Sequence, residues 1–146
     1  MKGFFLISLI ILIVVVLLLA TASPVLVIEL SSDPYIPLGN IITWIGLVAF
    51  PIAIYSGIYF IRKPKSVFLK LLKILLLIDI VLAALWFLVS FYLADNWSAS
   101  FEGNEEFRGG IRASYYFWNY TYLVVGLPLM LLITYWIYRI IDIFRR

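Results

Sequence analysis

The chain has 146 residues, of which 65% are hydrophobic and 13% are charged, and its formal net charge is +3. Soluble domains are about 45–50% apolar and about 25% charged, so this composition excludes a soluble globular protein. The sequence contains no cysteine and no histidine. Disulfides, thiolate nucleophiles and metal or haem sites that need these side chains are therefore excluded as well.

Four apolar stretches are long enough to cross a membrane as helices. A hydrocarbon core about 30 Å thick requires roughly 20 residues at a rise of about 1.5 Å each. We predict spans at about residues 4–27, 38–61, 71–93 and 115–138. Helix is expected for each span, because unpaired backbone groups are not tolerated in lipid. The sequence thus predicts an all-α integral membrane protein, a four-transmembrane-helix bundle that forms a single membrane domain over residues 1–146.

The first span shares features with a signal peptide. Lys2 supplies a positive start, and the triplet Ala20–Ala22 resembles a cleavage site. The apolar run continues to Ile28, however, which is longer than the apolar region of an ordinary signal peptide. We therefore expect an uncleaved membrane anchor.

Lysine and arginine residues predict the orientation of the chain, because they favour the cytoplasmic side of a membrane. Nine of the eleven flank the spans on one side, namely Lys2, Arg62, Lys63, Lys65, Lys70, Lys73, Arg139, Arg145 and Arg146. The other side has only Arg108 and Arg112. We predict a bacterial-type inner (plasma) membrane, both termini in the cytoplasm (N-in/C-in) and an outer loop over about residues 94–114. These positions account for the positive charge without nucleic acid as a partner.

Asp79 is the one charged residue well inside a predicted span. A carboxylate there costs about 2.5–3.5 kcal/mol, so it should face protein or water and be paired or protonated. Helical spacing predicts a polar, small face that points into the bundle. This face consists of Asp79, Ala83, Trp86, Ser90 and Ala94. Three interpretations stay open: an ion pair with Arg62 or Arg139, a protonatable site on an ion or proton path, and local contact with water.

The last span has hydroxyl groups that we expect to meet Asp79. Its polar and small residues recur at four-residue steps, at Tyr122, Gly126, Met130, Thr134 and Tyr138. The candidate polar site inside the membrane is therefore Asp79, Ser90, Tyr122 and Thr134.

The second span has a stripe of small residues that predicts close helix packing. The stripe is Gly46, Ala49, Ala53 and Gly57. Small residues let helix backbones approach each other, so the stripe either closes the bundle internally or docks a partner helix.

Two prolines inside spans are candidate kinks. Pro51 and Pro128 each free the carbonyl group four residues earlier, at Leu47 and Val124. Freed carbonyl groups bind ions in some transporters, although in most membrane proteins such kinks only shape packing.

These features favour a non-catalytic accessory or assembly component of a membrane complex. Its partners would be the lipid bilayer and either another membrane protein or further copies of the chain. A small oligomeric transporter or channel that uses Asp79 is one alternative, and a membrane immunity or defence protein is another. A lipid-modifying enzyme is the weakest reading, because the spans lack a histidine and a second carboxylate. No catalytic residue, cofactor or metal site is predicted.

Overall fold

The computed structural model describes residues 2–32, 35–94, 107 and 109–144. Within these residues, four helices are long and apolar enough to cross a membrane, which agrees with the predicted helical bundle. The elements in chain order are α1 (Lys2–Ala20), a 3-10 turn (Pro24–Val27), β1 (Glu29–Ser32), β2 (Tyr35–Pro37), α2 (Leu38–Gly57), α3 (Tyr59–Arg62), α4 (Val67–Ala94) and α5 (Gly110–Phe144).

The first long helix is shorter than the apolar run that contains it. α1 ends at Ala20, whereas the predicted span continues to about Val27. The backbone reverses at Ala22, whose φ of 44° lies in the left-handed region that L-residues seldom adopt. Ser23 then caps the 3-10 turn, since its hydroxyl oxygen accepts a hydrogen bond from the backbone N–H of Val25 at 3.4 Å. Local turn chemistry therefore ends the helix inside an apolar segment.

A short antiparallel hairpin connects the first two long helices. β1 and β2 pair with Ser31 opposite Ile36, and the register shifts between Glu29 and Ser31. The predicted connection over these residues carried no strands. Pro37 ends β2 and fits the extended backbone there, because its ring fixes φ near −65°.

The last two long helices extend beyond their predicted spans. α4 begins at Val67, where the side chain of Ser66 accepts a hydrogen bond from the N–H of Leu69 at 3.2 Å. α5 has 35 residues and begins at Gly110, so it takes up the final part of the predicted outer loop. Most of that loop, residues 95–106 and 108, lies outside the described residues. A helix of this length measures about 52 Å, well beyond a hydrocarbon core of about 30 Å.

The four long helices alternate in direction. α2 packs against α1, α4 and α5, and α4 also packs against α5, whereas α1 packs mainly along α2. We call the end with β1, β2 and the start of α5 the hairpin end. We call the opposite end, with the connection between α3 and α4, the basic end, because Arg62, Lys63 and Lys65 lie there.

Two clusters of buried side chains form the core, and they follow each other along the long axis of the bundle. The hairpin-end cluster is Leu47, Ala83, Trp86, Phe117 and Val124. The basic-end cluster is Ile54, Ile61, Leu69, Leu72, Leu76, Leu131 and Tyr135. Both clusters join α2, α4 and α5, so these three helices enclose the core and α1 lies outside it.

The outer surface of the bundle is strongly apolar. On α1 alone, Phe4, Ile7 and Ile10 are each about 60% exposed or more. Monomeric soluble proteins seldom expose apolar patches larger than a few hundred Å². The four helices and this surface are compatible with a multi-pass membrane protein.

Candidate functional site

Asp79 lies near the middle of α4 and its side chain is fully buried, with 0% exposure. Leu76, three residues earlier, belongs to the basic-end cluster, and Ala83, four residues later, belongs to the hairpin-end cluster. The carboxyl group therefore lies at the boundary between the two clusters.

The two helix prolines lie at the same boundary. Each proline lies four residues after a member of the hairpin-end cluster and three residues before a member of the basic-end cluster. The flanking pairs are Leu47 and Ile54 around Pro51, and Val124 and Leu131 around Pro128. Both prolines are fully buried, as is Asp79. We call these three residues, one from each core helix, the Asp79 layer.

The prolines leave hydrogen-bond acceptors next to this layer. A proline has no backbone N–H, so it cannot bond to the carbonyl group four residues earlier in its helix. The carbonyl groups released in this way belong to Leu47 and Val124. Helix carbonyl groups point toward the C-terminal end, which for α2 and α5 is the basic end. Each released oxygen therefore points from the hairpin-end cluster toward the Asp79 layer.

The ion pair considered for Asp79 is not formed in the part of the chain that the structure describes. Both carboxyl oxygens of Asp79 are buried without a hydrogen-bond partner there. Arg139 instead pairs with Asp142 at 3.5 Å and lies 4.5 Å over the ring of Phe60. Arg62 lies 5.9 Å from the ring centre of Tyr59. Both arginines lie near the basic end, whereas Asp79 is about 18 Å along α4 from its start.

The polar face of α4 points into the bundle from Asp79 to Ser90, and the side chain of Ala94 lies outside the described residues. Ala83, Trp86 and Ser90 are all buried, as is Asp79. Ser90, however, lies roughly 16 Å along the helix from Asp79 and donates its hydrogen bond to the carbonyl of Trp86 in its own helix. Asp79 and Ser90 therefore share a face without forming one site.

The expected facing of Tyr122 and Thr134 with Asp79 is wrong. Tyr122 is 66% exposed, and Thr134 also lies on the outer surface of the bundle. Each four-residue step overshoots a helical turn by about 40°, so a run of such steps winds around the helix. The buried face of α5 follows seven-residue spacing instead, at Phe117, Val124 and Leu131.

The neighbouring residues Tyr120 and Thr121 supply the hydroxyl groups that α5 brings to α4. The Tyr120 hydroxyl donates to the carbonyl oxygen of Leu82 at 2.7 Å. The Thr121 hydroxyl oxygen accepts from Nε1 of Trp86 at 2.9 Å. Sequence reasoning missed both residues. No spacing in the sequence singles out this face, because large apolar residues such as Leu123, Leu129 and Ile133 also occupy the exposed surface of α5.

The small-residue stripe of α2 packs against α1. A Cβ atom on Gly46 would lie 2.5 Å from Cγ1 of Val15, and one on Gly57 would lie 2.8 Å from the ring of Phe5. Ala49 and Ala53 are each 5% exposed. At the two glycines the stripe therefore closes an internal contact.

Grooves run along both sides of the contact between α1 and α2. The larger has a volume of about 330 Å³ and is lined by apolar side chains of α1, α2 and α5, including Val16, Phe50 and Val125. Thr43 also lines it, and its hydroxyl oxygen is buried without a hydrogen-bond partner among the described residues. The smaller groove measures about 230 Å³ and includes Ser8.

Comparison with known proteins identifies no relative. The chain matches no protein-family model, no curated protein and no solved structure. The function is therefore argued from the geometry of these residues.

Proposed function

We propose that the four long helices cross a bacterial-type plasma membrane with both termini in the cytoplasm, and that the protein is a non-catalytic component that binds another membrane protein. The exposed apolar surface of α1 supports the membrane location. The cations at the basic end support the orientation, because positive residues favour the cytoplasmic side.

The observation that carries the binding function is the larger groove beside α1. Helices associate in lipid through close packing and interhelical hydrogen bonds, because lipid tails are as apolar as the side chains. A groove of about 330 Å³ offers packing surface from three helices at once. The hydroxyl oxygen of Thr43 is buried, so the groove presents an almost wholly apolar surface. The expected partner is a transmembrane helix whose apolar side chains fit this groove.

Photo-crosslinking in native membranes tests this function. A crosslinking amino acid replaces Val16, which lines the larger groove, or Ile10 as the control. Ile10 lies on the same helix and is similarly exposed, at 60% against 53% for Val16, but it lines neither groove. We expect one discrete protein adduct from Val16 and none from Ile10. Equal adducts from both positions, or lipid adducts alone, would contradict the proposal.

The mass of the adduct identifies the kind of partner. An adduct with twice the mass of the chain indicates a second copy, as in a homo-oligomer, whereas any other discrete mass indicates a different membrane protein.

The unpartnered carboxyl group of Asp79 favours a second candidate function, proton- or cation-dependent transport. Charged groups inside membrane helices often mark ion paths and proton relays. Purified protein in lipid vesicles should then carry a flux that Asp79→Asn abolishes. Asp142→Asn is the matched control, because Asp142 lies near the end of α5 and pairs with Arg139. Equal flux in the protein and its Asp79→Asn variant, or no flux in the unmodified protein, would exclude this function.

A further inference from the structure

We propose that Asp79 and the backbone carbonyl groups released by Pro51 and Pro128 form a proton-binding site that holds the carboxyl group as a neutral acid. The proposal deepens the Asp79-dependent function and rests on the same carboxyl group. Binding of the proton and its passage across the membrane are tested by separate measurements.

The first step is the burial of the carboxyl group between two apolar clusters. An isolated carboxylate in apolar surroundings is so unfavourable that the group neutralises, either with a cation or with a proton. Both oxygens of Asp79 are buried and have no partner in the described chain. No cationic side chain among the described residues therefore neutralises the carboxyl group.

The titratable side chains that α2 and α5 bring to the two clusters are phenols. They are Tyr55 of α2 and Tyr120, Tyr135 and Tyr138 of α5. Of the two lysines in α4, Lys70 is exposed near the start of the helix, and Lys73 directs its ammonium group toward the carbonyl of Arg62 at 3.3 Å. Tyr120 already donates its hydrogen to Leu82. Among the described residues, no ammonium or guanidinium group therefore approaches the Asp79 layer.

The second step is the supply of acceptors. A neutral acid has one O–H donor, and a buried donor needs an acceptor. Most helix carbonyl groups are already used within their helix, but the oxygens of Leu47 and Val124 are released and point toward the layer. Both prolines and Asp79 lie between the same two clusters, so the acceptors on α2 and α5 lie at the depth of the donor on α4.

The third step concerns the identity of the ion. Mg²⁺ and Ca²⁺ take six or more oxygen ligands. The layer offers one carboxyl group and two released carbonyl groups, and the carboxyl group is completely enclosed. A proton needs neither a cavity nor a full coordination shell. The geometry therefore favours a proton over these divalent cations.

Infrared spectroscopy of the full-length protein in lipid nanodiscs tests the site. At neutral pH we expect the C=O stretch of a protonated carboxylic acid, which shifts in D₂O and disappears in Asp79→Asn. Asp142→Asn should leave the band intact. If the unmodified protein lacks this band at neutral pH, or if the band persists in Asp79→Asn, the proposal is overturned.

The acceptors are tested through the prolines. Pro51→Ala and Pro128→Ala each restore a backbone N–H that takes back one released carbonyl group. The acid then loses an acceptor, and its C=O band should move to higher wavenumber in at least one variant. Pro64→Ala, in the connection between α3 and α4, is the control and should leave the band unchanged. If both proline variants fold and the band is unchanged in each, the released carbonyl groups are not part of the site.

The two measurements separate binding from transport. An acid band from Asp79 without flux in vesicles supports the proton site and counts against the transport function. Flux that depends on Asp79 without the acid band overturns the proton site, because the carboxyl group is then charged at rest and needs a cation.

Discussion

Toward the hairpin end, three aromatic side chains donate hydrogen bonds that involve α4, whereas toward the basic end the core helices meet mainly through aliphatic side chains. The three bonds run from Nε1 of Trp44 to the carbonyl of Ala84 (3.0 Å), from Nε1 of Trp86 to the hydroxyl of Thr121 (2.9 Å), and from the Tyr120 hydroxyl to the carbonyl of Leu82 (2.7 Å). In the other half, the contact between the hydroxyl groups of Tyr138 and Ser66 is long, at 3.5 Å.

The difference indicates two ways of joining helices whose outer surface is as apolar as their interfaces. In lipid, burying an apolar side chain against another helix gains little solvation energy, so shape and hydrogen bonds select the partner surface. The hairpin half combines both, because its hydrogen-bonding groups are carried on large rings. The basic half depends on the fit of its aliphatic residues. Substitutions should therefore affect the two halves through different mechanisms.

Trp86→Ala should have the largest effect, because Trp86 is 2% exposed and its ring fills the hairpin-end cluster. Loss of a buried tryptophan typically costs about 3–5 kcal/mol, and the cavity term remains in lipid. The free energy of unfolding in mixed detergent micelles measures this loss. Trp86→Phe keeps one aromatic ring but removes the N–H and part of the ring volume, so it should cost less, about 2 kcal/mol. Equal losses in both variants would mean that the hydrogen bond, rather than packing, dominates this half.

Leu76→Ala tests the basic half. Leu76 is fully buried in the basic-end cluster. We expect a loss of about 2 kcal/mol, at the low end for leucine-to-alanine changes, because the unfolded helix keeps its leucine in lipid. The adjacent Leu77, which is 40% exposed, is the matched control, and Leu77→Ala should change stability by less than about 0.5 kcal/mol. Similar losses at both positions would show that the basic half is not tightly packed.

Two glycines compare the halves along the contact between α1 and α2. Gly46→Ala places a Cβ atom 2.5 Å from Val15, whose β-branched side chain is restricted in χ1, so we expect a loss of about 1–3 kcal/mol. Gly57→Ala meets the ring of Phe5 at 2.8 Å, and rotation of that ring should reduce the loss. Gly126→Ala meets nothing within 4 Å and is the control. A larger loss of stability in Gly57→Ala than in Gly46→Ala would contradict this prediction.

Tyr120→Phe should have the smallest effect in the core, because it removes a single hydroxyl group. The lost bond to Leu82 is worth about 0.6 kcal/mol on average and at most about 1.7 kcal/mol in a membrane helix. Tyr122→Phe removes a hydroxyl two residues away, on the exposed surface of α5, and should leave stability unchanged. If Tyr122→Phe lowered stability and Tyr120→Phe did not, Tyr122 rather than Tyr120 would face α4, as the sequence pattern predicted.

The four long helices were predictable from the sequence because a segment of the length and apolarity needed to cross a membrane must form its helix locally. Each apolar run must satisfy its own backbone hydrogen bonds, whatever its neighbours are. The burial of Ala83, Trp86 and Ser90 beside Asp79 was predictable for the same kind of reason, since polar and small residues in a span avoid lipid. The end of α1 at Ala20 was missed, because the turn residues Thr21, Ser23 and Pro24 stand between two apolar segments that together resemble one long span.

The partners of these faces required the folded molecule. In a soluble protein the apolar face of a helix marks the interior, but here the interior and the outer surface are both apolar, so periodicity does not separate Tyr120 from Tyr122. Helix packing brings Pro51 and Pro128 to the depth of Asp79. It also keeps Arg62 and Arg139 near the basic end. Residues far apart in the chain meet through shape and hydrogen bonds, and neither is a property of a single span.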